Sequence, residues 1–85
     1  MSTTKERVVR IAPGKMPRGL KRIYVEEGFS GGMFGDPVRK VGTIMLWDGD
    51  KSYFLTGRSR VRDAISAARG IVMKLAIEYA GLRTA

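Results

Sequence analysis

The sequence predicts an α+β domain in which a three- or four-stranded antiparallel β-meander packs against one long C-terminal α-helix. Two patterns in the 85 residues carry this prediction. Apolar and polar residues alternate in the middle of the chain on both sides of a hairpin signal, and apolar residues recur at helical spacing in its last third. We therefore expect one small domain over residues 20–85, preceded by a basic N-terminal arm over residues 1–19.

The N-terminal arm combines a short β-forming stretch with a segment that interrupts regular structure. Val8, Val9 and Ile11 predict a short strand over residues 7–12. Two prolines and two glycines follow within residues 12–19, and closely spaced prolines fix φ and remove backbone donors. We therefore expect a basic loop, or the hinge of a mobile arm, between this strand and the domain.

Two longer strands are expected next. Residues 20–29 place Ile23 and Val25 on one face and polar residues on the other, as in a half-buried strand. A glycine-rich connection over residues 28–37 then leads to a second strand over residues 38–47, which is rich in β-forming residues at its end.

A tight hairpin joins this strand to a third one. Asp48 and Gly49 both tolerate positive φ and favour a turn before a strand over residues 52–56. The strands carry large aromatic side chains that we expect mainly in the core, with a platform for stacking bases as the alternative. These aromatic residues are Tyr24, Trp47, Tyr53 and Phe54.

The last element is predicted to be a helix over residues 59–80. Its apolar residues recur at intervals of three and four, so they form one stripe that packs on the sheet. Ser59 is a suitable N-cap, and Gly81 followed by Leu82 favours a C-terminal stop of the Schellman type. The stripe consists of Val61, Ile65, Ala68, Val72, Leu75 and Tyr79.

The same helix has a second, weakly apolar face, which predicts a homodimer. Gly70 would allow a second helix to approach closely, and a dimer would supply core that a chain of this size lacks. The alternative is a monomer that exposes a few apolar residues. The predicted dimer interface consists of Ser66, Gly70, Met73 and Ile77.

The charge of the chain points to a polyanionic partner. Sixteen basic and eight acidic residues give a net charge of +8. Residues 1–22 carry seven basic and one acidic side chain, and residues 58–85 carry six and two, whereas residues 23–57 carry three and five. A basic excess that is concentrated in this way is typical of nucleic-acid-binding proteins.

The missing residue types exclude several kinds of site. The chain has no cysteine and no histidine, so disulfides, thiolate and imidazole metal ligands and the commonest general base are excluded. The carboxylates occupy predicted strand and turn positions, and nothing indicates a convergent pair. We therefore expect a protein that is not an enzyme and that uses neither a metal nor a cofactor.

We expect the protein to bind nucleic acid through phosphate contacts, with double-stranded DNA favoured over RNA, as a regulator of the phage or plasmid type. Arginines crowd the predicted helix start, where free backbone N–H groups favour an anion. The alternative is that these arginines and the arm are simply solvated. The predicted binding residues are Arg7, Arg10, Lys15, Arg18, Lys21, Arg22, Thr56, Arg58, Ser59, Arg60 and Arg62.

A second interpretation is a small protein-binding inhibitor or adaptor of the phage host-takeover type. Such a protein would dock on a host nucleic-acid-processing complex. The glycine-rich connection would then supply the apolar anchor through Phe29, Met33 and Phe34.

The apolar runs of the chain are short. The longest ones, at residues 44–47 and 71–73, fall far below the roughly 20 residues that a membrane span needs. We therefore expect no membrane partner and a cytoplasmic protein.

Overall fold

Five strands and one helix form two layers in the computed structural model, which describes residues 8–32, 34–35, 37–55 and 59–84. The sheet packs on one face against the helix, and the α+β class is therefore confirmed. A 3-10 turn at Pro13–Lys15 lies between the first two strands. The elements are β1 Val8–Ile11, β2 Arg22–Ser30, β3 Arg39–Trp47, β4 Ser52–Leu55, α1 Val61–Leu75 and β5 Glu78–Thr84.

The sheet is mixed rather than purely antiparallel. Its strand order is β1-β4-β3-β2-β5, in which β2, β3 and β4 form the predicted antiparallel meander. The two outer strands are parallel to their neighbours, β1 to β4 and β5 to β2. The prediction of an all-antiparallel meander is wrong at these edges, because parallel neighbours are joined through crossover connections that leave no local hairpin signal.

The helix is shorter than predicted. It ends at Ala76, whose left-handed backbone (φ 54°, ψ 43°) breaks the helical path, and the chain then enters β5. Gly81 therefore lies inside a strand instead of stopping a helix, and Tyr79 pairs with Ile23 instead of completing the helical stripe. The N-cap is Arg60, which makes no side-chain capping hydrogen bond, whereas Ser59 precedes it.

The core lies between α1 and the central strands. Ile23 and Val25 are fully buried, as their alternation predicted, and they pack with Leu46 against the helix. The helix presents Ala64 and Ala68 to the sheet, and both are buried. Small side chains at the contact let the helix backbone lie close to the strands.

The chain between β1 and β2 lies beside the helix. Met16 and Leu20 pack against the core cluster. Residues 16–20 line a groove of about 460 Å³ together with Ile71, Lys74 and other residues at the C-terminal end of α1. This segment therefore belongs to the helical layer.

The turn between β3 and β4 is closed by Asp48. One oxygen of its carboxylate accepts the backbone N–H groups of Asp50 (2.9 Å) and Lys51 (2.8 Å), and the other accepts the Tyr53 hydroxyl (3.0 Å). Donation from the backbone of Lys51 and Asp50, assisted by Tyr53, lowers the pKa of Asp48 below its ordinary value of 3.8. Desolvation and the bond to Asp48 raise the pKa of Tyr53.

Candidate nucleic-acid interface

The face of the sheet opposite α1 carries the candidate site, and we call it the open face. Because side chains alternate along a strand, the neighbours of the buried Ile23 and Val25 point away from the helix. The same alternation places arginine and aromatic residues of all five strands on the open face. They are Arg10, Arg22, Tyr24, Trp47, Phe54 and Arg83.

Each of three arginines on the open face lies over an aromatic ring of a neighbouring strand. Such cation–π contacts contribute about 0.5–1 kcal/mol at exposed sites. The distances from guanidinium carbon to ring centroid are 5.3 Å for Arg10 over Phe54, 5.3 Å for Arg22 over Trp47 and 4.4 Å for Arg83 over Tyr24.

Strand register produces these contacts. Arg10 is paired with Phe54 across β1 and β4, and Arg22 is paired with Trp47 across β2 and β3. Directly opposed residues are close enough for a long side chain to cover its neighbour. These two contacts are therefore set by backbone pairing, whereas Arg83 is paired with Glu26 and reaches the ring of Tyr24 diagonally. Tyr24 is only 9% exposed.

The cations of the open face are weakly neutralised. Arg22 Nε lies 3.3 Å from Glu78 Oε2, but both side chains are substantially exposed, so this ion pair is screened and adds little stability. Glu26 lies on the same face by its position in β2. Within the part of the chain that the structure describes, neither Arg10 nor Arg83 forms an ion pair.

The predicted binding residues do not form one surface. Arg10 and Arg22 lie on the open face, whereas Arg18 lies in the groove beside α1 and Lys15 lies in the preceding 3-10 turn. Lys21 lies against the turn at Gly49, and Ser59, Arg60 and Arg62 lie at the start of α1. Arg7, Thr56 and Arg58 fall outside the described residues.

A second group of cations lies where β3 meets the start of α1. Arg39 and Lys40 line a cleft of about 760 Å³ together with Arg60 and their neighbours. The Lys40 ammonium lies 3.6 Å from Glu27 Oε1. Sequence reasoning placed Arg60 in the site but missed Arg39 and Lys40, because they belong to the mildly acidic middle of the chain.

Arg83 was also missed, although it makes the shortest of the three stacks on the open face. The predicted helix ended at residue 80, and no strand was predicted after it. A signal was present, because Ile77 and Tyr79 alternate with the polar Glu78 and could have been interpreted as the start of a strand.

The predicted dimer face is only partly present. Ser66, Gly70 and Met73 are exposed on α1, and Met73 is 85% exposed. Ile77 lies beyond the end of the helix and packs against the core, so its assignment to that helical face is wrong. The early end of α1 at Ala76 is the physical reason.

The aromatic residues divide between two places. Tyr53 belongs to the core beneath α1 and Tyr79 packs against that core, whereas Tyr24, Trp47 and Phe54 lie on the open face. In the predicted protein anchor, Phe29 is 70% exposed and Phe34 is 97% exposed, while Met33 falls outside the described residues.

Among the residues that the structure describes, no three acidic side chains come together as metal ligands. In the same part of the chain, no helix has the length and apolar character to cross a bilayer. No protein-family model, curated protein or solved structure matches the chain.

Proposed function

We propose that the protein is a non-catalytic nucleic-acid-binding protein that holds double-stranded DNA by phosphate contacts from its open face. One observation carries the proposal: three arginines from three different strands lie over aromatic rings on the one face of the sheet that α1 does not cover. A phosphate backbone offers acceptors that match guanidinium donors in charge and geometry.

Stacking prepares these arginines for phosphate binding. A ring beneath a guanidinium attracts its flat face and leaves the N–H groups at its edge free to donate. The ring also restricts the rotamers of the long side chain before DNA arrives, so less side-chain entropy is lost on binding. Arg10 and Arg83 suit this role best, because neither is held by an ion pair among the described residues.

The width of the open face favours a duplex. Arg10 and Arg83 lie on the two outer strands, four strand spacings apart, which is about 19 Å. The major groove of B-DNA is about 12 Å wide. The two arginines therefore span enough distance to contact the phosphates on both sides of one groove, whereas the major groove of duplex RNA is deep and narrow.

The test is the salt dependence of duplex binding. Each phosphate contact contributes roughly 0.9 to the slope of log affinity against log salt concentration. Replacing Arg10 and Arg83 together by glutamine should reduce the steepness of that slope by the contribution of about two phosphate contacts. It should also weaken binding to every sequence similarly. The measurement is fluorescence anisotropy with two unrelated duplexes over a range of salt concentrations.

A matched variant controls for net charge. The double variant Arg18→Gln, Lys74→Gln also removes two positive charges, but from the groove beside α1 on the other side of the sheet. We expect this variant to keep the wild-type slope. Equal losses in both double variants would mean that only overall charge matters, and binding by the wild type that does not change with salt would refute the proposed function itself.

A further inference from the structure

The hairpin of β2 and β3 extends beyond the rest of the sheet. Strand β5 pairs with β2 up to Glu27, and β4 reaches only Met45 of β3. Past Glu27 and Gly42, the described residues of the two strands pair only with each other, at 28–30 and 39–41. This two-stranded ribbon is about 10 Å long before its connecting loop begins.

The tip of the ribbon presents a phenylalanine to solvent. Gly31, Gly32 and Gly35 all have positive φ, which curls the backbone tightly, and Phe34 between them has φ 55°. The close approach of Gly31 to the Pro37 carbonyl leaves no space for a side chain there. Phe34 is 97% exposed in this turn.

Further exposed apolar side chains lie in the two chain segments that flank the turn holding Phe34, and cations lie at the base of the ribbon. Phe29 and Val38 are 70% and 62% exposed. Arg39 and Lys40 follow directly and share the cleft with Arg60. An exposed apolar tip with cations near its base is the arrangement by which proteins insert a wedge between base pairs while binding the adjacent phosphates.

We propose that Phe34 is a wedge that enters the minor groove of duplex DNA and unstacks one base step, which bends the duplex. This inference rests on the proposed function, because it supposes that the open face lies over the major groove. The ribbon continues the same sheet past that face, so it would cross the phosphate backbone at Arg39, which strand alternation places on the side of the open face, and reach the neighbouring minor groove. At its base, Arg39 and Arg60 share a cleft and form no ion pair among the described residues, and this charge favours DNA over a protein partner.

The test measures bending separately from binding. The full chain is mixed with a duplex of about 30 base pairs that carries a donor and an acceptor fluorophore at its ends. The wild type should shorten the distance between the two ends of the duplex. The Phe34→Ala variant, added at a concentration that saturates the duplex, should leave it nearly straight. The affinity should fall roughly ten- to a hundredfold, the loss expected for one stacked aromatic ring.

Two controls separate the wedge from other roles. Phe34→Ala should keep the wild-type salt slope, because it removes no phosphate contact, and the exposure of Phe34 predicts an unchanged thermal unfolding midpoint. Met73→Ala removes another highly exposed apolar side chain, from α1, and should change neither bend nor affinity.

The possible failures are distinguishable. If the wild type binds the duplex with a steep salt slope but does not bend it, or if Phe34→Ala bends it equally, the wedge is wrong and the proposed function stands. Such a result would direct attention to a protein pocket as the place where Phe34 inserts. If no variant binds the duplex in a salt-dependent way, the proposed function fails and the wedge fails with it.

Discussion

Replacing Gly42 by alanine should destabilise the protein, because the helix lies directly against this residue. A Cβ atom at Gly42 would lie 2.8 Å from Ala64 Cβ and 3.0 Å from Val61 Cα. Val25, which is fully buried, would be 3.2 Å away. Carbon atoms pack best at about 3.5–4.0 Å, so α1 would have to move outward by roughly 1 Å.

The surrounding bonds oppose that movement. The Gly42 N–H donates to the Ser59 carbonyl at 2.8 Å, which fixes the chain just before the helix begins. Overpacking of a tight contact costs about 1–3 kcal/mol. Alanine recovers about 0.4–1 kcal/mol by restricting the unfolded chain. We therefore expect a net loss of about 1–2 kcal/mol in the free energy of unfolding.

The assay is unfolding by urea and by heat, followed by circular dichroism. A loss of this size should lower the melting temperature by about 4–16 °C in a domain of this length. Gly70→Ala is the matched control, because no atom lies within 4 Å of its added Cβ. It should raise stability by up to about 1 kcal/mol through helix propensity.

The two glycine variants test different claims. If Gly42→Ala is as stable as the wild type while Gly70→Ala is stabilised, the close contact between helix and sheet is wrong. If Gly70→Ala is instead destabilised, and more so at high protein concentration, where a dimer would form, a second helix packs at Gly70 as the predicted homodimer requires.

Two further variants test local features of the fold. Ala76→Gly should raise the free energy of unfolding by about 0.5–1 kcal/mol, because Ala76 holds a left-handed φ of 54° that glycine adopts without strain; a lower urea midpoint would contradict this. Asp48→Asn should lower stability at neutral pH, because the ionised carboxylate accepts three hydrogen bonds in the turn. Because the pKa of Asp48 is lowered in the folded state, its stabilisation is present above the unfolded pKa of about 3.8 and is lost as the pH falls from there through the lower folded pKa. The wild type should therefore lose more stability than Asp48→Asn between neutral pH and about pH 3, and urea midpoints at both pH values measure this.

The elements that could be predicted are those whose signals are local. Ile23 and Val25 alternate with polar neighbours, and the buried face they predicted is present. Asp48 and Gly49 form the expected hairpin, in which Gly49 has a φ of 102°. The presence of the helix could be predicted, but its length could not, because an alanine in the left-handed conformation ends it. Alanine carries no stop signal, and Gly81 offered a misleading one.

The outer strands could not be predicted in the same way. The pairing of β1 with β4 and of β5 with β2 joins segments that are far apart in the sequence. Nothing near Val8 or Glu78 indicates which strand it will join, since parallel pairing depends on how the crossovers pack. The same difference between local signals and long-range pairing decided which cations of the open face could be predicted. Arg10 and Arg22 were found from their charge, whereas Arg83 required knowledge of β5.

The outer strands, whose parallel pairing was not predicted, give the open face the width that the proposed function needs. The three meander strands alone span two strand spacings, about 10 Å, which is less than the width of a major groove. Adding β1 and β5 widens the sheet to about 19 Å and places Arg10 and Arg83 at its two margins. Because each outer strand pairs directly with a meander strand that carries an aromatic ring, each arginine that it contributes is stacked in advance. The pairing that completes the sheet therefore also builds the surface that we propose for DNA.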